Sequence, residues 1–476
     1  TTIEFVVGRA LNVLFIAILA RLLIPRDFGT YALLSIFLGV ATALIESGFG
    51  LALVQRQDTT DDDKSTVFWI SLGAATAIAL VLVASAPLIA AFFQLDELVQ
   101  LTYIMAANVW VSAFGIVKRA LLVERLAFKQ LTIVNMFALI VSSSLAVLLA
   151  KIGFGVFTLA WQGLASAVLT SVLLWLLSSW RPTFAFRISS ARRLFSFGGY
   201  LLASKLLDVI YSKPYTLLIG KFFGAVELGY FNRAESTGQM VSGLVSYPIS
   251  QVAFPAFSKM NGDTDRIRRG LQGAVRISML INSTAMLTLV SVAKPFVLTI
   301  LGPQWEPSIP FLQVLALAAL LMPLHLLNLQ ALMAIGRSEL FFLLELIKKA
   351  IGVGILVFFS RWGAMGIAWG LVVSGLVSFG INAWYSGIHL NYGPIRQAVQ
   401  IIPSLGFGLV SAVAAHLAMA ASAFQSQILL LLVGIAAAAT ASVAILGLAW
   451  LLGHDFTGLL SRLRPATEAP EKGTSP

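Results

Sequence analysis

Long apolar segments alternate with short polar ones along nearly the whole chain. Each apolar segment holds about 20 residues, the length that an α-helix needs to cross ~30 Å of hydrocarbon. Turn-forming residues such as Pro25, Gly153, Gly302 and Gly363 lie between these segments. The pattern predicts fourteen membrane-spanning helices, near residues 3–24, 29–54, 65–93, 98–117, 131–150, 154–177, 194–222, 227–257, 271–293, 309–334, 338–359, 364–387, 398–420 and 427–452.

The composition supports an all-α polytopic membrane protein. Hydrophobic residues make up 58% of the 476 positions, 11% are charged, and the mean hydropathy is +0.90. A soluble domain has roughly 25% charged residues. The sequence has no cysteine, which excludes disulfides and thiolate chemistry and fits a bacterial inner membrane.

The basic residues predict how the chain is oriented. Twenty of the 32 lysines and arginines fall in loops after even-numbered spans or in the C-terminal tail, and six fall in loops after odd-numbered spans. Because cytoplasmic loops are enriched in Lys and Arg, both termini are expected in the cytoplasm. The net charge of +11 is then mainly an orientation signal, and no nucleic-acid partner is expected.

Two segments 200 residues apart resemble each other, residues 20–31 and 220–231, with Gly29 matching Gly229. Six spans lie between them, so the two halves share one orientation and a pseudo-two-fold axis along the membrane normal. The predicted organisation is an N-lobe of six spans (1–190), a C-lobe of six spans (191–390), two further helices (391–455) and a polar, Pro-rich cytoplasmic tail expected to be disordered (456–476).

Polar and ionisable side chains interrupt several predicted spans. An ionisable residue costs several kcal/mol there unless it faces protein or water. Helical spacing places Lys205 and Asp208 on one face of span 7, with Lys213 about 80° away. The full set is Arg9, Asn12, Glu46, Lys205, Asp208, Lys213, Arg233, Glu235, Gln251, Glu345, Lys348 and Lys349.

These side chains are expected to converge on a central, water-filled cavity. Six basic residues against four acidic ones leave an excess of +2, which suits an anion such as phosphate. Structural explanations compete: Lys205 with Asp208, and Glu345 with Lys349, can neutralise each other as helical ion pairs. Arg233 is equally suited to anchoring a helix end.

The sequence shows no catalytic or cofactor signature. It has no GxxxxGK[ST] loop for nucleotide phosphates, no HExxH and no GxSxG. No cofactor or bound metal is predicted, and coupling to Na⁺ or H⁺ stays an open alternative. The polar residues of the set that could take part in such coupling are Asn12, Glu46, Asp208, Glu235 and Gln251.

Six short motifs resemble the Wzx-type polysaccharide flippases. They are LARLLIPRDFG at 19–29, GFGLALVQR at 48–56, LLIGK at 217–221, LGYFNRA at 228–234, FPAFS at 254–258 and GPQWEP at 302–307. Those proteins form the polysaccharide-transport branch of the multidrug/oligosaccharidyl-lipid/polysaccharide (MOP) exporter superfamily.

The resemblance implies the MOP-type fold of two six-helix lobes plus two helices. It also implies an inner-membrane flippase that moves undecaprenyl-diphosphate-linked oligosaccharides to the periplasmic leaflet by alternating access, for O-antigen, exopolysaccharide or capsule synthesis. A polysaccharide polymerase and export machinery are the further partners that it suggests. The residues that would bind the diphosphate are Arg9, Lys205, Lys213, Arg233, Lys348 and Lys349.

Two other functions compete with this one. A multidrug exporter of the same superfamily, exchanging cations for Na⁺ or H⁺, predicts an acidic cavity, which the basic excess disfavours. A membrane polymerase or ligase acting on lipid-linked sugars needs a sizeable periplasmic loop. The longest external loop predicted here, near residues 294–308, is too short to hold such a reaction comfortably.

Overall fold

The computed structural model is built from α-helices. It describes residues 2–46, 60–187, 214–260 and 262–451, together with Leu53, Leu206 and Val209. The helices are α1 (Thr2–Leu22), α2 (Pro25–Glu46), α3 (Asp61–Phe93), α4 (Glu97–Glu124), α5 (Phe128–Lys151), α6 (Phe157–Leu177), α7 (Pro214–Phe222), α8 (Gly224–Ser258), α9 (Thr264–Ser291), α10 (Ala293–Ile300), α11 (Ile309–Ala319), α12 (Met322–Ala334), α13 (Ser338–Phe359), α14 (Gly363–Leu390), α15 (Pro394–Ala421) and α16 (Gln427–Leu451). Short 3-10 turns at Pro303–Ser308 and Ser360–Trp362 precede α11 and α14.

Ten helical stretches in the described part of the chain are long and apolar enough to cross a membrane. One of them, Leu343–Leu390, contains most of α13 and all of α14. Large apolar side chains such as Leu80, Leu88 and Leu176 are exposed, as expected where the surroundings are hydrocarbon. The all-α polytopic membrane fold is confirmed, whereas the number fourteen stays a prediction.

The chain divides into two compact units, unit 1 (Thr1–Asn232) and unit 2 (Arg233–Pro476). The division falls within α8. The lobe limits at residues 190 and 390 and the helix pair at 391–455 follow from the numbering of predicted spans, and they stay predictions. The predicted tail, residues 456–476, lies outside the described residues.

Proline changes two of the predicted helix limits. Helix α2 begins at Pro25 and not near residue 29, because proline fits the first helical position and the Asp27 carboxylate accepts the Ile24 N–H at 3.1 Å. The predicted span 309–334 is divided between α11 and α12, because Pro323 has no N–H to donate to the Ala319 carbonyl. That carbonyl instead accepts hydrogen bonds from the side chains of Ser242 and Asn282, each at 3.2 Å.

Helix α4 continues to Glu124, beyond its predicted end at residue 117. The reason is that Lys118 is fully buried and not in a solvated loop. Its Nζ donates to the Trp180 carbonyl at 2.6 Å and lies 4.1 Å from the centre of the Trp175 ring. Cation–π attraction to a desolvated tryptophan offsets part of the cost of burying the ammonium group.

The two repeated segments contact each other within unit 1. A Cβ atom added to Gly29 would lie 1.6 Å from the Ala225 carbonyl oxygen, and one added to Gly229 would lie 2.0 Å from the Pro25 carbonyl oxygen. The contact is therefore reciprocal and made backbone to backbone, which only glycine permits at these two positions. This one close contact therefore explains why both repeated segments have a glycine at the matching position.

Unit 2 has a buried amide network near one end of three helices. Asn328 of α12 exchanges hydrogen bonds of 2.9 Å with Gln397 of α15, and it accepts one of 2.6 Å from Ser386 of α14. Gln397 also donates to the Tyr392 carbonyl at 2.9 Å. All four side chains are fully buried, so each bond joins one helix or loop to another without competition from water.

Candidate functional site

In unit 1, most of the side chains of the predicted site lie outside the described residues. Those of Lys205, Asp208 and Lys213 do so entirely. Arg9 lies on α1 and Glu46 is the last residue of α2, but their side chains are not among those described. Asn12 lies on α1 with an exposed side chain. The site that these residues were predicted to form therefore stays a prediction.

Helix α8 carries three of the predicted residues, at two different levels. The guanidinium carbon of Arg233 lies 6.0 Å from the ring centre of the buried Trp305. Glu235 is buried, and its Oε1 accepts a hydrogen bond of 2.7 Å from Gln239. Gln251 is exposed and lies about 27 Å further along the helix at ~1.5 Å per residue. The helix therefore does not bring Gln251 together with Arg233.

Helix α13 holds the other predicted basic residues. Lys348 is buried, and its Nζ lies 2.6 Å from Glu345 Oε1 one turn earlier. Lys349 is half-buried on the same helix. The contact of Glu345 with Lys348 has a spacing of three residues, which places both side chains on one helix face. The predicted pair of Glu345 with Lys349, at a spacing of four, stays a prediction.

His325 lies on the neighbouring helix α12. Its Nδ1 atom is buried without a hydrogen-bond partner among the described residues. The ion pair and the imidazole lie in two different membrane-length helical stretches, Leu343–Leu390 for Lys348 and Glu345 and Pro303–Ala334 for His325. The described residues bring no three metal-ligating side chains together.

A second polar site, which the sequence did not predict, is a cavity of about 470 Å³ between α2, α4 and α6 of unit 1. Ligand pockets commonly measure roughly 300–1,000 Å³. No carboxylate is found among its described lining residues. Its polar lining residues are Thr42 of α2, Asn108, Ser112 and Arg119 of α4, and Ser166, Thr170 and Ser171 of α6.

One end of this cavity is shaped by a glycine beside an amide. A Cβ atom at Gly163 would lie 3.0 Å from Asn108 Nδ2 and 3.6 Å from the Tyr31 hydroxyl. The glycine therefore leaves room next to the amide. At the other end the exposed Arg119 donates one long hydrogen bond, of 3.4 Å, to Asn135 Oδ1. A guanidinium has five N–H donors, so most of its capacity remains for another acceptor.

The helical spacing of these residues is the signal that could have revealed the cavity. Asn108, Ser112 and Arg119 follow one face of α4 at i, i+4 and i+11, and Ser166 and Thr170 lie one turn apart on α6. The apolar pattern stops at residue 117 and therefore predicts that Arg119 lies in a loop. Because Lys118 is buried within α4, the helix continues past residue 117, and Arg119 lines the cavity.

The sequence profile described as polysaccharide biosynthesis protein matches residues 18–310. The teichuronic acid biosynthesis protein TuaB of Bacillus subtilis (strain 168) is 28% identical over 372 residues, which are 75% of this chain and 75% of TuaB. The motif-based assignment to polysaccharide-transport proteins is therefore confirmed at the level of the family.

Two solved structures have a similar fold. The lipid II flippase MurJ in an inward closed conformation matches with a TM-score of 0.76 and 12% identity, over 93% of this chain and 98% of MurJ. A multidrug resistance transporter of the MATE family and MOP superfamily, in an inward-facing conformation, matches with a TM-score of 0.62 and 17% identity, over 82% of this chain and 95% of that one. The predicted MOP-type fold is confirmed, and the chain belongs to the polysaccharide biosynthesis protein family of multi-pass membrane proteins.

Proposed function

We propose that this protein is a flippase for undecaprenyl-diphosphate-linked oligosaccharides. It moves their headgroups from the cytoplasmic to the periplasmic leaflet of a bacterial inner membrane by alternating access, with both of its own termini in the cytoplasm. Its product would pass to a polysaccharide polymerase and export machinery. Membership of the polysaccharide biosynthesis family and a fold shared with a lipid II flippase support this proposal.

The single observation that carries the proposal is the buried charge on α13. Lys348 lies inside a helical stretch long and apolar enough to span the bilayer, where a charged side chain costs several kcal/mol unless it faces protein or water. Its partner Glu345 is half-buried and holds it at 2.6 Å. A phosphate that displaces Glu345 gains charge-assisted hydrogen bonds from Lys348, and its departure lets the pair form again.

The other predicted diphosphate ligands belong to the same proposal. Arg233 presents a guanidinium beside Trp305, and Lys349 follows Lys348 on α13. Arg9, Lys205 and Lys213 are included on the strength of their positions in the sequence. Because the sequence has no nucleotide-binding loop, we take a gradient of Na⁺, H⁺ or the substrate itself as the driving force, and we regard the protein as a transporter and not an enzyme.

The test removes both charges of the α13 pair together. A lone Lys348→Met substitution would strand the Glu345 carboxylate and destabilise the fold, so the informative variant is Lys348→Met with Glu345→Gln. The matched control is Lys294→Met with Glu306→Gln, since that pair, 3.4 Å apart, is exposed on both sides. Polysaccharide export and lipid-linked intermediates are measured in cells whose chromosomal copy is deleted.

The proposal predicts at least a tenfold loss of export for the α13 double variant at normal membrane levels, and no loss for the control. The lipid-linked intermediate should accumulate on the cytoplasmic leaflet, and its glycan identifies the substrate. Wild-type export by the α13 double variant would contradict the role given to Lys348. Drug efflux without any such intermediate would favour the multidrug alternative.

A further inference from the structure

The cavity of unit 1 differs in chemistry from the charged cluster on α13. Its lining offers hydroxyl groups, one amide and one guanidinium, with no carboxylate among the described lining residues. Cations therefore find no counter-charge there. Neutral hydroxyl and amide groups are suited to a ligand that has many hydroxyls of its own, and a guanidinium is suited to an oxyanion.

Several of these polar groups have hydrogen-bonding capacity to spare. The hydroxyls of Thr42, Ser166 and Thr170 make no hydrogen bond to any side chain or backbone group in the described part of the chain. Ser112 donates to the Asn108 carbonyl at 2.8 Å, which leaves its oxygen free to accept. Thr42 is exposed and Ser166 and Thr170 are half-buried, so a ligand hydroxyl can replace water at these groups with a modest net gain for each hydrogen bond.

The dimensions of the cavity suit an elongated ligand. Asn108 and Arg119 are eleven residues apart on α4, which corresponds to about 16 Å at ~1.5 Å per residue. Gly163 keeps the Asn108 end open, because a side chain there would contact the amide at 3.0 Å. A chain of sugar rings can occupy that length and meet hydroxyls from α4 on one side and α6 on the other.

We propose that the cavity of unit 1 is a saccharide-binding site. Asn108, Ser112, Ser166 and Thr170 hydrogen-bond to sugar hydroxyls, and Arg119 pairs with an oxyanion at one end of the glycan. The oxyanion is either a sugar carboxylate or a phosphate. This inference rests on the proposed function, to which it adds a location for the glycan in unit 1, apart from the charged groups of α13 in unit 2.

The test measures binding by the purified full chain, without transport. The probes are the neutral disaccharide cellobiose, its uronic-acid analogue cellobiouronic acid and inorganic pyrophosphate, each titrated by ligand-observed NMR. Ser112→Ala with Thr170→Val removes two hydroxyls at little change of volume. Arg119→Gln removes the charge of an exposed side chain. The control is Thr132→Val, which changes a half-buried hydroxyl on α5 outside the cavity.

We expect the hydroxyl variant to weaken binding of both disaccharides about tenfold, as the loss of two hydrogen bonds implies. Arg119→Gln should weaken binding of cellobiouronic acid about tenfold and leave binding of cellobiose unchanged. If Arg119→Gln weakens binding of pyrophosphate alone, and the hydroxyl variant still weakens binding of cellobiose, the oxyanion is a phosphate. The saccharide site is then supported.

Two results would overturn the saccharide site. One is that the hydroxyl variant binds both disaccharides as the Thr132→Val control does, and the other is that neither disaccharide binds the wild-type chain. Either failure is distinguishable from failure of the flippase proposal, since export by the Lys348 and Glu345 double variant is measured separately in cells. Normal export in that variant would leave the binding result at this cavity intact.

Discussion

Replacing Gly29 by alanine tests the reciprocal contact between the two repeated segments. The new Cβ atom would lie 1.6 Å from the Ala225 carbonyl oxygen and 2.8 Å from the Gly229 nitrogen. Both neighbours are backbone atoms, so no side chain can turn away to relieve the overlap. The two segments must therefore move apart by about 2 Å to restore an ordinary van der Waals separation.

The expected cost follows from overpacking. Extra methyl groups forced into close-packed positions cost about 1–3 kcal/mol, and a rigid backbone neighbour places Gly29→Ala toward the upper end of that range. A loss of this size should lower the unfolding midpoint of the purified chain by roughly 1–3 °C. Thermal unfolding in detergent, followed by tryptophan fluorescence, measures the change.

Gly73→Ala is the matched control, because this glycine also lies within a helix of unit 1 and has nothing within 4 Å of an added Cβ atom. Alanine there should stabilise by up to about 1 kcal/mol through helix propensity. Because the contact is reciprocal, Gly229→Ala should cost much less in the Gly29→Ala background than alone. Equal unfolding midpoints for Gly29→Ala and Gly73→Ala would refute the close contact.

Two further predictions concern unit 2. Asn328→Ala should destabilise the chain by about 2–4 kcal/mol, because it leaves the buried amide of Gln397 without its Asn328 partner. The control is Thr440→Ala, at an exposed position. Equal unfolding midpoints for these two variants would contradict the network. Burial raises the pKa of the Tyr392 phenol above its ordinary value of 10.0. The contribution of the neutral phenol to stability is therefore fully present below pH 10.0 and is lost as the pH rises from there through the folded-state pKa. The unfolding midpoint of Tyr392→Phe should therefore fall less than that of the wild type as the pH rises from about 9 to about 11, and parallel curves would show that the phenol is not responsible.

The apolar pattern predicted the membrane helices well because it depends only on the thickness of the bilayer. It failed where a local contact overrode it. The sequence pattern places Lys118 in a loop, whereas contacts with two tryptophan rings and a backbone carbonyl stabilise it as a buried residue of α4. Pro25 reads as part of a turn, although proline is also a favoured first residue of a helix.

The candidate sites were less predictable than the fold. Spacing limits the helical partner of Glu345 to a residue three or four positions away, and it does not distinguish Lys348, whose contact is seen, from Lys349. The unit 1 cavity depends on the juxtaposition of α2, α4 and α6. The spacing of Asn108, Ser112 and Arg119 marks a polar face on α4, but the sequence does not show which faces of α2 and α6 lie opposite it.

Flipping by the purified chain is the most direct test of the proposed function. Proteoliposomes are made with the lipid-linked oligosaccharide that accumulates in deletion cells, and a glycosidase added outside cleaves the headgroups that it can reach. With the wild-type chain, cleavage should proceed past the outer-leaflet half toward completion, whereas vesicles without protein or with the Lys348→Met and Glu345→Gln variant should stop near half. Cleavage that stops near half with the wild-type chain as well would contradict the account.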